Sequence, residues 1–241
     1  MKIKILYEDS NILVIDKPSG IAVHPDGRSK AETITDWVLT NYPKMKNVGE
    51  PLKLKIKNDE LKIDKPGVVH RLDKETSGVL LLAKNQKAHQ FLKEQFQKRT
   101  IKKVYVAIVN GWVKNDRGII NKPIGRSPKD FRRWLAGRGA RGEMREAITQ
   151  YKVLKRFQIG LNKFTELEVR PKTGRTHQIR VHLKFLNHPI VCDSLYNPAG
   201  ACPKDIKRLA LHAQSIIFKD MKGKEVKVES LLPQEFENMI K

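Results

Sequence analysis

The sequence predicts an α+β fold, a mixed and mostly antiparallel β-sheet core with flanking helices and loops. Three observations point to it. Apolar stretches of strand length are spread along the whole chain, only a few segments carry helical spacing, and no repeat, low-complexity run or Pro/Ser-rich linker divides the 241 residues. A chain of this length makes one large domain or two small ones, and one domain over residues 1–241 is favoured over two interleaved lobes.

Residues 3–7 and 11–16 read as two short strands around a turn at Asp9 to Asn11, and KPSG at 17–20 is a turn leading into IAVHP. ETITDWVLTNYP spaces Ile34, Trp37, Val38 and Tyr42 as a helical stripe, and Pro43 stops it. Residues 44–65, rich in Lys, Asn and Gly, read as a long, mobile, cationic connection. GVLLLAK is an unbroken apolar run and so a buried strand, and QKAHQFLKEQFQK sets Ala88, Phe91, Leu92 and Phe96 on one helical face. KKVYVAIVNGWV and GIINKPIGR read as the next strands, SPKDFRRWLAGRGARGEM as a basic loop interrupted by glycines. REAITQYKVLKRF and NKFTELEVRP form a hairpin around Gly160 to Asn162. PKTGRTHQIRVHLKFLNHP starts as a turn and continues as a helix with Ile179, Leu183 and Leu186 on its apolar side and Arg175 in its first turn. RLALHAQSIIF, GKEVKVES and LLPQEFENMI then read as strand, strand and short helix.

Composition narrows the function. The chain carries 48 Lys and Arg against 26 Asp and Glu, a formal charge of +22, and basic surface gains affinity for phosphates through counterion release. Nucleic acid is therefore the expected partner, and the basic loop at 127–144 is a candidate RNA-touching element. A merely solvated, lysine-rich surface is the competing explanation. No apolar run reaches the roughly 18 residues of a membrane span. Glu8 and Asp9 cut the N-terminal run too early for a signal peptide, so the cytoplasm is the expected compartment. Cys192 and Cys202 match no zinc or dithiol spacing and are expected to be reduced, structural thiols.

Several chemistries lose their best signals. There is no GxxxxGK[ST] loop, no GxGxxG, no HExxH and no GxSxG. His177 and His182, five apart, fall on different faces of a helix, so no metal site is expected. Asp73, in GVVHRLDKETSGVLLLAKN, stands out because Arg71 and Lys74 favour its ionised form, which suits a nucleophile or a stabiliser of a sugar cation. An ordinary turn, with Asp73 capping and Gly78 at positive φ, accounts for the same pattern. Arg175, at a helix start, is able to hold a carboxylate while Arg180 and Lys172 face phosphate. Tyr105, between Val104 and Val106, points to the strand face opposite theirs.

KPSGIAVHP, HRLDKETSGVLLLAK, KVYVAIVNG, REAITQYKVL, GRTHQIRVHL and LALHA, in this order, resemble the RluA-type family of RNA pseudouridine synthases over about residues 11 to 233. The resemblance implies the pseudouridine synthase fold, with an active-site cleft across the sheet. It implies isomerisation of uridine in RNA: the N-glycosidic bond breaks, the uracil turns, and carbon 5 joins the ribose, with no cofactor or metal. Asp73 then corresponds to the essential carboxylate, Tyr105 to the active-site tyrosine near the base, Arg175 to the arginine that pairs with the aspartate, and Arg71 to the one that takes the flipped uridine's place. His70, Lys74, Arg180 and Lys172 are expected to support RNA binding and base flipping. Large-subunit ribosomal RNA is the expected substrate, tRNA the alternative, and a catalytically silent RNA-binding or ribosome-assembly factor the reading from another class. A monomer is expected.

Three features depart from the family pattern. Many members carry an N-terminal S4 RNA-binding domain, whereas this sequence starts at the catalytic domain, which leaves RNA affinity to that domain's own charge. Cys192 and Asn197 stand where the family has glycine around Asp193 and Tyr196. The basic insertion at 44–65 is long for the family.

Overall fold

The computed structural model describes residues 1–25, 31–56, 59–204 and 206–241, and for 52–56 and 59–61 the backbone alone. The first elements are β1 (Lys4–Glu8), β2 (Ile12–Lys17), α1 (Ile34–Asn41), β3 (Leu52–Ile56), β4 (Asp59–Ile63), β5 (Ser77–Ala83) and α2 (Gln86–Gln97). There follow β6 (Lys102–Asn110), β7 (Arg117–Asn121), β8 (Ile124–Arg126), β9 (Trp134–Ala136), β10 (Arg141–Arg145), β11 (Ile148–Ile159) and β12 (Asn162–Pro171). The chain closes with α3 (Gln178–Phe185), β13 (Leu211–Lys219), β14 (Glu225–Glu229) and α4 (Gln234–Ile240). The fold is mixed, mostly antiparallel sheet with few helices, as expected. Its residues pack as two compact, interleaved units, one of 1–101 with 215–230, the other of 102–214 with 231–241.

In the first unit β2 pairs antiparallel with β1 on one side and β5 on the other, with Ile15 opposite Leu80. Every residue of β5 is buried, which is why GVLLLAK lacks the alternation of a half-exposed strand. Helix α1 begins in a capping box: Asp36 N–H donates to Thr33 Oγ1 at 3.4 Å and Thr33 N–H donates back to Asp36 Oδ2 at 2.8 Å. Pro43 ends it, and one turn of 3₁₀ helix follows over Pro43–Met45. Asn85 caps α2 by accepting from Ala88 N–H at 3.0 Å, and Ala88 and Leu92 are buried beneath it. The expected mobile connection at 44–65 is corrected: β3 and β4 form a hairpin with Leu52 opposite Ile63. Alternating LKLKI and DELKI carried that signal, and the lysine content obscured it. The side chains of 52–61, on which the cationic reading of this segment rests, lie outside the described residues.

In the second unit β6, β12, β11 and β7 are paired antiparallel in that order, with Tyr105 opposite Val169. The expected hairpin of β11 and β12 turns at Gly160, whose φ of 57° is one that side chains rarely adopt. GIINKPIGR is two strands, not one, because Pro123 has no N–H to continue the ladder. The basic loop at 127–144 is likewise corrected. It contributes β9 and β10 to a small sheet of order β10-β8-β9, seated on a buried cluster of Ile124, Ala147, Val181 and Tyr196 with Trp134 and Ala136 against it. Helix α3 starts at Gln178, so Arg175 lies in the preceding turn and not in the first helical turn. Ile179 and Leu183 are buried as expected, and Leu186 forms the C-cap.

The expectation of reduced cysteines is overturned. Cys192 and Cys202 form a disulfide, their Cα atoms 4.9 Å apart. Sequence spacing does not report that approach; the loop between them does. Cys192 holds φ at 55°, a left-handed conformation that glycine adopts most readily.

Candidate active site

The turn carrying Asp73 is braced by the end of β2 and the chain just after it. Lys17 closes β2 and is fully buried, yet its ammonium donates to Pro18 O at 2.8 Å, Ile21 O at 2.8 Å and Lys74 O at 3.0 Å. Gly20 N–H also donates to Lys74 O at 2.9 Å, and Ser19 Oγ to Glu75 O at 2.6 Å. The KPSG turn is thus laced to the two residues after Asp73, while Thr76 N–H closes the turn onto Asp73 O at 3.1 Å. Leu72 is buried and anchors the loop from below, so Asp73 is half-buried between the exposed Arg71 and Lys74. Gly78 takes φ 107°, as the turn requires. His70, expected to serve RNA, spends one ring nitrogen internally: Nε2 accepts from Leu81 N–H at 3.0 Å, and the ring stacks on Phe96 at 4.8 Å. That ties Arg71's neighbour to β5 and α2.

The second unit assembles the other candidates around α3. Gln178 is buried; its Oε1 accepts from Thr173 Oγ1 at 2.7 Å and from Arg175 N–H at 3.0 Å, and its Nε2 donates to Ile148 O at 3.0 Å and Thr149 Oγ1 at 2.9 Å. The GRT turn is therefore locked to β11, and Arg175 Nε donates to Glu146 O at 2.9 Å. His182 bridges Thr149 Oγ1 and Lys122 O at 2.8 and 3.0 Å; burial pushes its ring down, towards the neutral form. Tyr105 is buried on β6, and Lys172 is exposed.

Arg180 is a correction. It does not face phosphate: it is buried, with Nε and Nη2 each 2.8 Å from the two oxygens of Asp193. The same carboxylate accepts from Leu195 N–H at 3.0 Å and Tyr196 N–H at 2.9 Å, and the guanidinium lies 5.0 Å from the Tyr196 ring. The first turn of α3 places Arg180 on the inner face, which a run of basic residues in sequence does not reveal. Asn197 packs closely against Gly200, where a Cβ would stand 1.8 Å from Asn197 Nδ2.

The elements that hold these residues carry a family signature. The profile of the RNA pseudouridylate synthase family matches residues 11–185, a span that contains Asp73, Tyr105 and Arg175. The chain belongs to that family. Membership in the RNA pseudouridylate synthases, isomerases that act on RNA, agrees with its relatives. It is 40% identical over 208 residues to an uncharacterized RNA pseudouridine synthase of Aquifex aeolicus, a match covering 86% of this chain and 60% of that protein. It is 38% identical over 234 residues to ribosomal large subunit pseudouridine synthase D of Borreliella burgdorferi, covering 97% of this chain and 66% of that protein. The chain thus spans somewhat under two thirds of each relative's length. The fold is that of human RNA pseudouridylate synthase domain containing 1, with a TM-score of 0.75 and 23% identity over 100% of this chain and 86% of the other.

Sequence reading singled out neither Lys17 nor Gln178. A lysine ending an otherwise apolar strand, and a glutamine three residues after Arg175, were the available signals.

Proposed function

We propose that this chain is an RNA pseudouridine synthase that isomerises uridine in large-subunit ribosomal RNA, with Asp73 as its essential carboxylate. The observation that carries the reading is the family match over residues 11–185. A ribosomal substrate is supported by the name of the Borreliella relative and by the charge of +22, which favours a polyanion.

The chemistry fits the residue types. The reaction rearranges one nucleotide without gain or loss of atoms or electrons, so it calls for no redox cofactor. Asp73 acts by attack or by stabilising charge at the sugar, a task for an ionised carboxylate flanked by cations. Tyr105 lies against the base, and Arg175 supports the charge at the reacting centre. Extruding a base from folded RNA costs a few kcal/mol, and Arg71, exposed two residues before Asp73, offsets part of that by filling the vacated stack. Lys74 and Lys172, both exposed, contact phosphate.

The test is pseudouridine mapping of total RNA from cells with the wild-type chain, with Asp73→Asn, and without the gene. A site in large-subunit ribosomal RNA that disappears in both altered strains is expected. Persistence of every site with Asp73→Asn would remove the catalytic role; a lost site in tRNA would reassign the substrate. Normal growth and ribosome assembly with Asp73→Ala but not with the deletion would point to a silent assembly factor.

A further inference from the structure

Strand β6 carries a second functional side chain beside Tyr105. Lys103 precedes Tyr105 by two residues, and alternate residues of a strand share one face at about 6.6 Å spacing. Its ammonium packs over Gly174, in the turn that leads to Arg175: a Cβ on Gly174 would lie 3.7 Å from Lys103 Nζ. The Lys103 side chain is partly buried, and among the described residues its ammonium has neither a carboxylate partner nor a hydrogen bond. Desolvation alone pushes it down to about 8, so it remains mostly protonated at neutral pH.

A desolvated cation without a partner is unfavourable in the absence of RNA and becomes favourable only when negative charge arrives. Neighbouring lysines differ: Lys102 and Lys172 are exposed. We propose that Lys103 is a catalytic residue that neutralises the negative charge of the detached uracil. This rests on the pseudouridine synthase reading above. When the bond between C1′ and N1 breaks, its electron pair leaves with the base, and the charge spreads over N1, O2 and O4. A base lying against Tyr105 brings those oxygens to the strand face that Lys103 shares. Lys103 transfers no proton in this step; it supplies a fixed positive charge that acts while the uracil is an anion, until carbon 5 bonds to the ribose, loses its proton, and N1 takes one up, so that no atom is gained or lost. A backbone phosphate would also be attracted to such a cation, but it would be held equally before and during reaction, and would change binding and not the chemical step.

The experiment measures single-turnover pseudouridine formation by the full chain on large-subunit ribosomal RNA purified from cells lacking the gene, together with filter-binding affinity at several salt concentrations. Lys103→Met and Lys103→Gln remove the charge at similar length, so that the test does not depend on one variant folding; thermal melts identify those that do. Lys103→Arg restores the charge. The expected result is a chemical rate lower by roughly 10²-fold or more in the neutral variants, as for loss of one preorganised oxyanion donor, with affinity within about twofold of wild type and at least about tenfold recovery in the arginine variant. An unchanged rate, a loss confined to affinity with a shallower salt dependence, or an arginine variant as slow as the neutral ones would overturn the proposal. Wild type that forms no pseudouridine on any RNA would instead sink the isomerase reading itself, and Lys103's role with it.

Discussion

Replacing Lys17 by methionine tests how the Asp73 turn is held. The ammonium is fully buried and donates to Pro18 O, Ile21 O and Lys74 O at 2.8, 2.8 and 3.0 Å. Methionine fills much of the volume but donates nothing. Lys74 O keeps Gly20 N–H at 2.9 Å, so the loss falls mainly on Pro18 O and Ile21 O. Two half-buried carbonyls left without this donor cost roughly 1–3 kcal/mol each, and removing the desolvated charge returns part of that, for a net loss of about 3 kcal/mol. With a urea slope of about 3 kcal/mol per M, the unfolding midpoint falls by about 1 M at unchanged slope. The folded variant should also form pseudouridine more slowly at saturating RNA, because the residues after Asp73 lose one of their ties. A midpoint within about 0.2 M of wild type together with an unchanged rate would refute the claim that this lysine organises the turn.

Two further outcomes separate structural from RNA-facing groups. Breaking the buried pair by Asp193→Ala leaves Arg180 without its bidentate partner and costs about 3–5 kcal/mol, a drop on the order of 10 °C in Tm by calorimetry. Arg180→Met, by contrast, should leave the salt dependence of RNA binding unchanged, since the side chain is enclosed; a slope lower by about one would return it to the phosphate contacts. Reducing the bond between Cys192 and Cys202, which are separated by 10 residues, should cost about 3 kcal/mol, read as a lower Tm in dithiothreitol that Cys202→Ser reproduces without reductant. Two free thiols by labelling of the unreduced, folded chain would show that the bridge is absent.

Local pattern was sufficient where local forces decide. The buried run of β5, the stripe of α2, the stop at Pro43 and the turn of β11 into β12 were all legible, because periodicity, proline and turn residues act within a few positions. The hairpin of β3 and β4 was equally local and was obscured by composition. The split at Pro123 and the small sheet of β8, β9 and β10 were harder: three- to five-residue strands gain little alone and form because a cluster from β8, α3 and the Tyr196 turn receives them.

The sequence by itself determined the family and the candidate carboxylate, since ordered motifs survive as text, and it made a polyanion the expected partner, since net charge is a sum over residues. Tertiary structure decided which cations are available to such a partner. Arg71, Lys74 and Lys172 face solvent, whereas Arg180 is enclosed against Asp193 and Lys17 is spent on backbone carbonyls. It also decided that two cysteines ten residues apart are bonded. Charge and spacing are properties of the chain, but desolvation and approach are properties of the packing around it, and no stretch of sequence states what will be packed against a lysine or an arginine.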